Sequence, residues 1–531
     1  MDAERVHRPF KRATRNLKRP RRGSPRMDRW QAGIVVLALL LPGCLTAEAP
    51  APQVSLTSQS PSAPGQAGVA HRSPTLAPPE TEEAETGGLP PGVMPVRGVS
   101  RLLDVPTHEP TIGVDAKGRI FVATWDAGTT TSRLVVRSDD GGVTWKDVTP
   151  RLGPFTPTLG TGDPYVYVDP FSGRLFHSLL LGFQCTTISF SDDAGESWVT
   201  NPLGCGLPPS VPLHDHQTIF SGKHRTLPPV GYPAVVYYCV NRVVDTACAT
   251  SLNGGVTFGP LRPAIYLGLD PSAGVPGNQS ATLDGICSGL TAHGVAAPDG
   301  TVYLARGWCG LPLVAVSRDD GLTWETTLVS PTLRMDRLDH DLNIAVDEAG
   351  NAYAFFRGED GQAYLSVSTD GGRTWREPLN VTPPGVTAVD FPTAAAGAEG
   401  RLALAFYGTT EEAHYSGFSD EATWNVYLTV TTDGLAANPL FTTVSMNDPA
   451  NPVVRGACAK HDGCHGVGDF IDSVIDAEGR PWVAFVDVCE GACAEPTGKE
   501  NTARGEGEGI GVVGTLAEGP RLRGVMGPLP P

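Results

Sequence analysis

One octapeptide recurs along the chain, and this repetition constrains the fold more than any other feature. Its pattern is Ser-x-Asp/Asn-x-Gly-x-Thr/Ser-Trp/Phe. The five good copies are Ser138–Trp145, Ser191–Trp198, Ser251–Phe258, Ser317–Trp324 and Ser368–Trp375, and a degenerate copy begins at Thr431. The third residue can accept backbone N–H bonds across a tight turn, while glycine tolerates a positive φ. The final aromatic side chain suits packing against a neighbouring sheet. The repeat therefore predicts an array of similar units instead of three unrelated domains.

A looser repeat gives the number of units. It consists of an apolar strand, a turn with Asp or Gly, and a second strand that is often aromatic. The seven copies are Ile112–Val122, Val166–Phe176, Gln217–Tyr238, His293–Tyr303, Ile344–Tyr353, Ala394–Ala403 and Val474–Trp482. Gly and Pro make up 111 of 531 residues (63 Gly and 48 Pro), which also favours many short strands joined by turns. The last unit lacks an obvious fourth strand, which the segment Val96–Leu103 could supply to close a ring.

The octapeptides resemble the Asp-box (BNR) repeat of sialidase-like β-propellers, and the resemblance covers residues 96–531. It implies an all-β fold of four-stranded antiparallel blades arranged around a channel. In that family the boxes join the two outer strands of a blade, on the face away from the ligand. The boxes are therefore interpreted as markers of the fold. The seven hairpins favour seven blades, and six blades, as in true sialidases, is the alternative.

The N-terminus is typical of an exported protein. Residues 1–30 carry 11 Lys or Arg against three acids, and the nine-residue apolar run 33–41 follows. This run suits the core of a signal peptide. The sequence Leu41-Pro42-Gly43-Cys44 resembles the lipobox of bacterial and archaeal lipoproteins, in which the cysteine is lipidated. We therefore expect a leader over 1–44, a flexible Pro/Ala/Ser/Thr-rich tether over 45–95 and one propeller domain over 96–531. Met27 is an alternative start.

The charge of the chain restricts its partners. The formal net charge is -17, and because residues 1–30 contribute +8, the remainder carries -25. An acidic body of this kind repels nucleic acid, so no nucleic-acid partner is expected. The expected location is the cell surface or the periplasm, with membrane contact through a lipid anchor at Cys44.

Ten further cysteines predict disulfides, because an even number in an exported chain favours pairing. Neighbours in sequence pair as Cys185–Cys205, Cys239–Cys248 and Cys287–Cys309 in the simplest arrangement. Two pairings remain open for the last four, either sequential or Cys458–Cys493 with Cys464–Cys489. Zinc binding by Cys458, His461, Cys464 and His465 is a weaker alternative.

Residues before each inner strand should ring the mouth of the channel, since inner strands begin on one face of a propeller. We call this predicted ring the funnel. Its acidic and histidine residues are Glu109, Asp163, His214, Asp215, His216, His293, Asp339, His340, Asp341, Asp390 and Asp469. Such a ring suits a hard cation such as Ca²⁺, a polyol or a basic partner. The alternative is that these residues cap strands and turns locally. Loops after the second strands are expected to add Arg306, Trp308, Arg357, Tyr407 and Asp487.

The funnel does not match a sialidase site. True sialidases hold a substrate carboxylate with three arginines, the first in a Phe/Tyr-Arg-Ile-Pro motif, and the matching segment here reads 104–109, Asp-Val-Pro-Thr-His-Glu. The resemblance therefore carries the fold and not the catalytic residues. Two functions remain: a surface module that binds a glycan or protein without turnover, which we favour, and a glycoside hydrolase or lyase acting on another glycan. Glycoside hydrolysis requires at least one pair of carboxyl groups.

The lipobox predicts an acyl anchor. We expect the protein to partition with membranes and Cys44→Ser to release it or stall its processing. Fractionation of cells with N-terminal sequencing of the product measures this. A Cys44→Ser protein that remains membrane-bound with a normally cleaved N-terminus would contradict the lipobox interpretation.

Overall fold

Seven antiparallel sheets form the blades of a β-propeller in this computed structural model. The structure describes residues 66–73, 94–124, 134–151, 163–181, 185–201, 214–242, 245–265, 289–308, 310–335, 342–411, 422–455, 467–489 and 509–530. These residues contain strands and no α-helix. Within the same ranges, no helix is long and apolar enough to cross a membrane. The prediction of an all-β fold with seven four-stranded blades is confirmed, and the six-bladed alternative is wrong.

Within each blade, the strands are given from the innermost, beside the channel, to the outermost. Blade 1 contains Thr111–Val114, Ile120–Ala123, Val135–Ser138 and Lys146–Asp147. Blade 2 contains Tyr165–Val168, Leu175–Leu181, Cys185–Ser191 and Val199–Asn201. Blade 3 contains Asp215–Gly222, Val235–Asn241, Thr246–Ser251 and Arg262–Ile265. Blade 4 contains Val295–Ala296, Val302–Trp308, Leu311–Ser317 and Glu325–Leu328.

The remaining blades complete the ring. Blade 5 contains Leu342–Val346, Ala352–Arg357, Ala363–Ser368 and Leu379–Asn380. Blade 6 contains Ala388–Ala396, Leu402–Thr409, Thr423–Thr431 and Leu440–Ser445, with the short strand Val454–Arg455 beside its third strand. Blade 7 contains Asp472–Ile475, Pro481–Asp487, Ile510–Glu518 and, as its fourth strand, Arg97–Pro106.

The closure of the ring joins the two ends of the propeller. Arg97–Pro106 pairs with Ile510–Glu518, so the fourth strand of blade 7 comes from the N-terminal side, as the segment Val96–Leu103 predicted. Two more short strands lie within the segment predicted as a tether. Gln66–Ala67 pairs with the outer strand of blade 7, and Val69–Arg72 pairs with that of blade 6. We call residues 66–73 the strap, because they cross from one blade to the next.

The octapeptides occupy the position that the resemblance implied, between the third and fourth strands of blades 1 to 5. In the first copy, the Ser138 hydroxyl donates to Asp140 (2.8 Å), and the Thr144 amide and hydroxyl donate to the same carboxylate at 2.8 and 2.6 Å. Gly142 has φ 89°, a conformation that suits glycine. The boxes and the first turn of each blade lie on one face, which we call the lower face. The inner strands begin on the opposite, upper face.

The box aromatic residues link each blade to the one before it. Trp198 of blade 2 packs on the core of blade 1 and donates its indole N–H to the Val148 carbonyl at 2.8 Å. Trp375 of blade 5 packs on blade 4 and donates to Thr327 at 3.2 Å. These rings are half-buried instead of fully buried, because each box lies at the surface end of its hairpin. Trp145, Trp198, Trp324 and Trp375 all share this partial burial.

The cysteine predictions are only partly covered by the structure. Cys239 and Cys248 face each other on adjacent strands of blade 3 and form a disulfide with a Cα–Cα distance of 4.1 Å, which confirms this pair. Cys489 is also disulfide-bonded. The remaining predicted pairs involve cysteines outside the described residues, namely Cys205, Cys287, Cys309, Cys458, Cys464 and Cys493, so their pairing stays a prediction, as does lipidation of Cys44.

Half-burial sets the size of the expected effect of removing a box indole. Trp198→Ala should lower the free energy of unfolding by about 2 kcal/mol, roughly half the cost of removing a fully buried aromatic side chain. Urea and thermal unfolding measure this, with Val199→Ala, a change at a neighbouring side chain that is 55% exposed, as the matched control. Equal stability of the two variants would show that the ring contributes nothing to blade packing.

Candidate functional site

Four acids of the predicted funnel lie together on the upper face, at the starts of blades 7, 1, 2 and 3. Glu109 and Asp163 are buried, at 6% and 5% exposure, whereas Asp469 has a side chain that is 40% exposed. Asp215 is partly buried and hydrogen-bonds to the Asp163 carboxyl group. His216 lies among them, with its Nε2 atom 3.6 Å from an Asp469 oxygen. We call these five residues the acid cluster.

Most of the cluster's hydrogen bonds run from blade to blade. Glu109 accepts the backbone N–H of Asp163 through one oxygen (3.2 Å) and that of Asp469 through the other (3.1 Å). Asp163 in turn accepts the backbone N–H of His216 at 2.7 Å. The alternative interpretation was that these acids cap strands and turns within their own blades. Their hydrogen bonds instead reach neighbouring blades. They join four consecutive blades.

Backbone conformation repeats at the same place. Four residues near the starts of the inner strands have φ between 44° and 50°, namely Glu109, Asp163, His216 and Phe391. This left-handed conformation is uncommon for residues other than glycine and costs free energy, so surrounding contacts must hold it. In blades 1 and 2 the inter-blade hydrogen bonds of Glu109 and Asp163 supply such contacts.

Burial sets the charge of the cluster. It raises the pKa of Glu109 to about 7, with Asp469 adding repulsion, and raises that of Asp163 to about 7, with Glu109 adding repulsion. Burial and the Asp163 charge also raise the pKa of Asp215 to about 7. Burial lowers the pKa of His216, but its contact with Asp469 and the charges of Asp163 and Asp215 outweigh burial and raise it to about 10. A protonated His216 thus offsets the carboxylates at neutral pH.

The other funnel residues are arranged differently. Asp390 is buried beside Arg357, with 3.8 Å between a guanidinium nitrogen and a carboxylate oxygen. His293 Nδ1 donates to an Asp472 carboxylate oxygen at 3.2 Å, and His214 is buried, which lowers its pKa. Asp339, His340 and Asp341 lie outside the described residues. Within the described ranges, no group of three or more His, Cys, Asp or Glu side chains has the geometry to hold a metal ion. Calcium binding stays a prediction.

The expected rim residues are not on open loops. Arg306, Trp308, Arg357 and Tyr407 are in the second strands of blades 4, 5 and 6 and are buried. The Tyr407 hydroxyl donates to the Val486 carbonyl at 2.8 Å and accepts its N–H at 2.9 Å. Asp487 accepts the backbone N–H of Cys489. The rim prediction is therefore wrong for these side chains, because strands 2 extend further toward the upper face than expected.

Aromatic and imidazole rings close the upper end of the channel. The ring centroids of Tyr165 and His293 are 4.6 Å apart, and Phe470 lies 5.4 Å from both His293 and His216. We call these four residues the aromatic plug. Asp472 holds the plug through His293 and also accepts the backbone N–H of Ile112 at 3.0 Å. The sequence prediction missed Asp472, although it aligns with Thr111, Thr218 and Thr393 in the other blades.

In the part of the chain that the structure describes, the fold and the site define a seven-bladed β-propeller with an aromatic plug at the upper end of its channel and an acidic arc beside it. No protein-family model matches the chain, and no curated protein matches its sequence.

Solved structures to which the chain is similar include a lectin and two sialidases. The BP39L lectin from Burkholderia pseudomallei is 11% identical (TM-score 0.45), with 72% of this chain and 93% of that chain covered. The NanB sialidase (K499G mutant) from Streptococcus pneumoniae is 12% identical (TM-score 0.40; 77% and 68% covered). The leech intramolecular trans-sialidase is 10% identical (TM-score 0.36; 73% and 65% covered). Similarity at this level concerns the fold alone.

The raised pKa values predict that stability falls as pH rises. The three carboxyl groups with pKa near 7 stabilise the folded state fully below about pH 4, and that contribution is lost between about pH 4 and 7. The contribution of His216, present below about pH 6.5, is lost as pH rises toward 10. The melting temperature should therefore fall by about 5 °C between pH 5 and pH 9.

Asp215→Asn tests the origin of this dependence, because it removes one titrating carboxyl group. Its melting temperature should change less over the same pH range than that of the wild type. Glu478→Gln, which alters an exposed carboxylate on a lower-face turn, should leave the profile unchanged. A flat wild-type profile, or identical profiles for wild type and Asp215→Asn, would show that the cluster does not titrate as described.

Proposed function

We propose that the protein is an exported, lipid-anchored propeller that binds a glycan or a basic protein segment on its upper face without chemical turnover. The observation that carries this proposal is the aromatic plug. The rings of Tyr165, His216, His293 and Phe470 meet at the upper end of the channel. Among the described residues, this leaves the acidic arc beside the plug as the surface that a ligand would contact.

The exposed side of the acid cluster determines the preferred ligand. Glu109 and Asp163 are engaged in inter-blade hydrogen bonds. The acids that would contact a ligand are therefore Asp469 and Asp215. The Asp469 side chain is 40% exposed beside its contact with His216. Carboxylates in this setting favour hydroxyl donors of a polyol or a cationic group over an anionic sugar. The proposed ligand is therefore a neutral or cationic glycan, or a basic peptide.

The second candidate function is glycoside hydrolysis, and one observation favours it. Asp163 and Asp215 are paired carboxyl groups with pKa raised to about 7, a range suited to a general acid. The burial of Asp163 argues against it, because this side chain is 5% exposed and accepts the backbone N–H of His216 at 2.7 Å instead of facing a substrate. Binding without turnover thus remains the better-supported proposal.

A glycan and basic-peptide array tests the binding function. The protein used for the array should begin near residue 60, so that it retains the strap. We expect Asp469→Asn to weaken each retained ligand about tenfold by loss of a charge-assisted hydrogen bond, as measured by calorimetry, and Glu478→Gln to have no effect. Ligands that bind the Asp469→Asn variant as tightly as the wild type would contradict the proposed site. Turnover of aryl glycosides that Asp215→Asn abolishes would favour the hydrolase instead.

A further inference from the structure

The central channel encloses a cavity separate from the acid cluster. Its volume is about 620 Å³, and the inner strands of all seven blades line it. Tyr165 and His293 of the aromatic plug line its upper end together with Asp472, and the turns that follow the inner strands line its lower mouth. A volume of this size falls within the range of small-molecule sites, roughly 300–1,000 Å³.

Apolar side chains form a large part of the channel walls, among polar side chains that include Ser221 and Asn343. The side chains facing it include Val114, Val168, Ala296, Val346, Ala395 and Val474, one from each of six blades. All six are partly buried by packing against the hydrophobic cores between blades and keep part of their surface toward the channel. Water gains few hydrogen bonds in such surroundings, and apolar cavities bind apolar molecules in preference to water. The channel therefore favours a slender apolar group.

The lower mouth carries negative charge and an aromatic ring. Four acids line the cavity at this end, Asp115, Asp169, Asp347 and Glu348, together with Arg523, and Asp115 forms an ion pair with Arg119 at 2.6 Å.

Glu348 is 54% exposed and lies 3.8 Å from Arg523, and Phe171 is 39% exposed at the same end. Asp169 and Asp347 are held by hydroxyl donors, Ser221 at 2.6 Å and Tyr353 at 2.7 Å, which leaves their charge in place. Carboxylates beside an aromatic face attract a cation and repel an anion.

From the apolar walls and the acidic mouth together, we infer that the channel is a binding site for a small amphiphile: an apolar chain enclosed by the seven inner strands, with a cationic head group at the lower mouth. This site is independent of the upper face, because the plug separates the two. It requires no opening of the plug, since the lower mouth gives entry to the chain first.

Displacement of the neutral fluorescent probe N-phenyl-1-naphthylamine tests the inference on the full chain. Dodecyltrimethylammonium should displace the probe at a concentration about tenfold lower than dodecanoate, because charge complementarity favours the cation. Butylammonium, which has the charge but not the chain, should not displace it. Failure of the wild type to bind the probe, or equal potency of the cationic and anionic amphiphiles, would overturn the inference.

Two variants locate the binding. Ala395→Phe and Val346→Phe each add a bulky group to the channel from a different blade, and each should weaken binding of dodecyltrimethylammonium at least about tenfold. Ala436→Phe, an exposed change on the lower face outside the channel, is the matched control and should bind like the wild type. Thermal unfolding identifies variants that retain the fold. A folded channel variant that binds as tightly as the wild type would place the amphiphile elsewhere.

Discussion

Polar side chains that bond to the backbone of the next blade hold the ring together. Thr111 accepts the N–H of Val166, Thr218 that of Gly294, Asn343 that of Ala394, and Asp472 that of Ile112. Each bond satisfies an inner-strand amide that has no neighbouring strand on its channel side, and an unsatisfied buried amide would be costly. The hydrogen bonds of Glu109 and Asp163 to neighbouring blades repeat this arrangement closer to the upper face. The position of every blade, and hence the shape of both the upper face and the channel, depends on these contacts.

This arrangement explains how four acids of the predicted funnel come together. Repeat alignment correctly placed Glu109, Asp163, Asp215 and Asp469 near one another, because equivalent residues of successive blades must share a face. Sequence alone could not tell that two of them accept backbone N–H groups from neighbouring blades. That outcome depends on left-handed φ values and on the distance between blades, neither of which is encoded by residue type.

The fold was more predictable than the site for a physical reason. A box turn is a local structure, and the Asp140 carboxylate needs partners only four residues away, so its sequence is recognisable. The plug instead combines Tyr165, His216, His293 and Phe470 from four blades, and the sequence prediction did not include Tyr165 or its contact with His293. Similarly, burial of Tyr407 depends on Val486 of another blade. Contacts between distant repeats are therefore where prediction from a single sequence stopped.

The strap affects how the propeller would respond to mechanical force. With an anchor at Cys44, as proposed, the 22 residues that lead to Gln66 reach at most about 75 Å. Any pull from the membrane arrives first at Gln66–Ala67 and Val69–Arg72, which pair with the outer strands of blades 7 and 6. The closure strand Arg97–Pro106 comes later in the chain, so it bears no load until the strap has detached. With such an anchor, the strap would carry a pull from the membrane before the strand that closes the ring does.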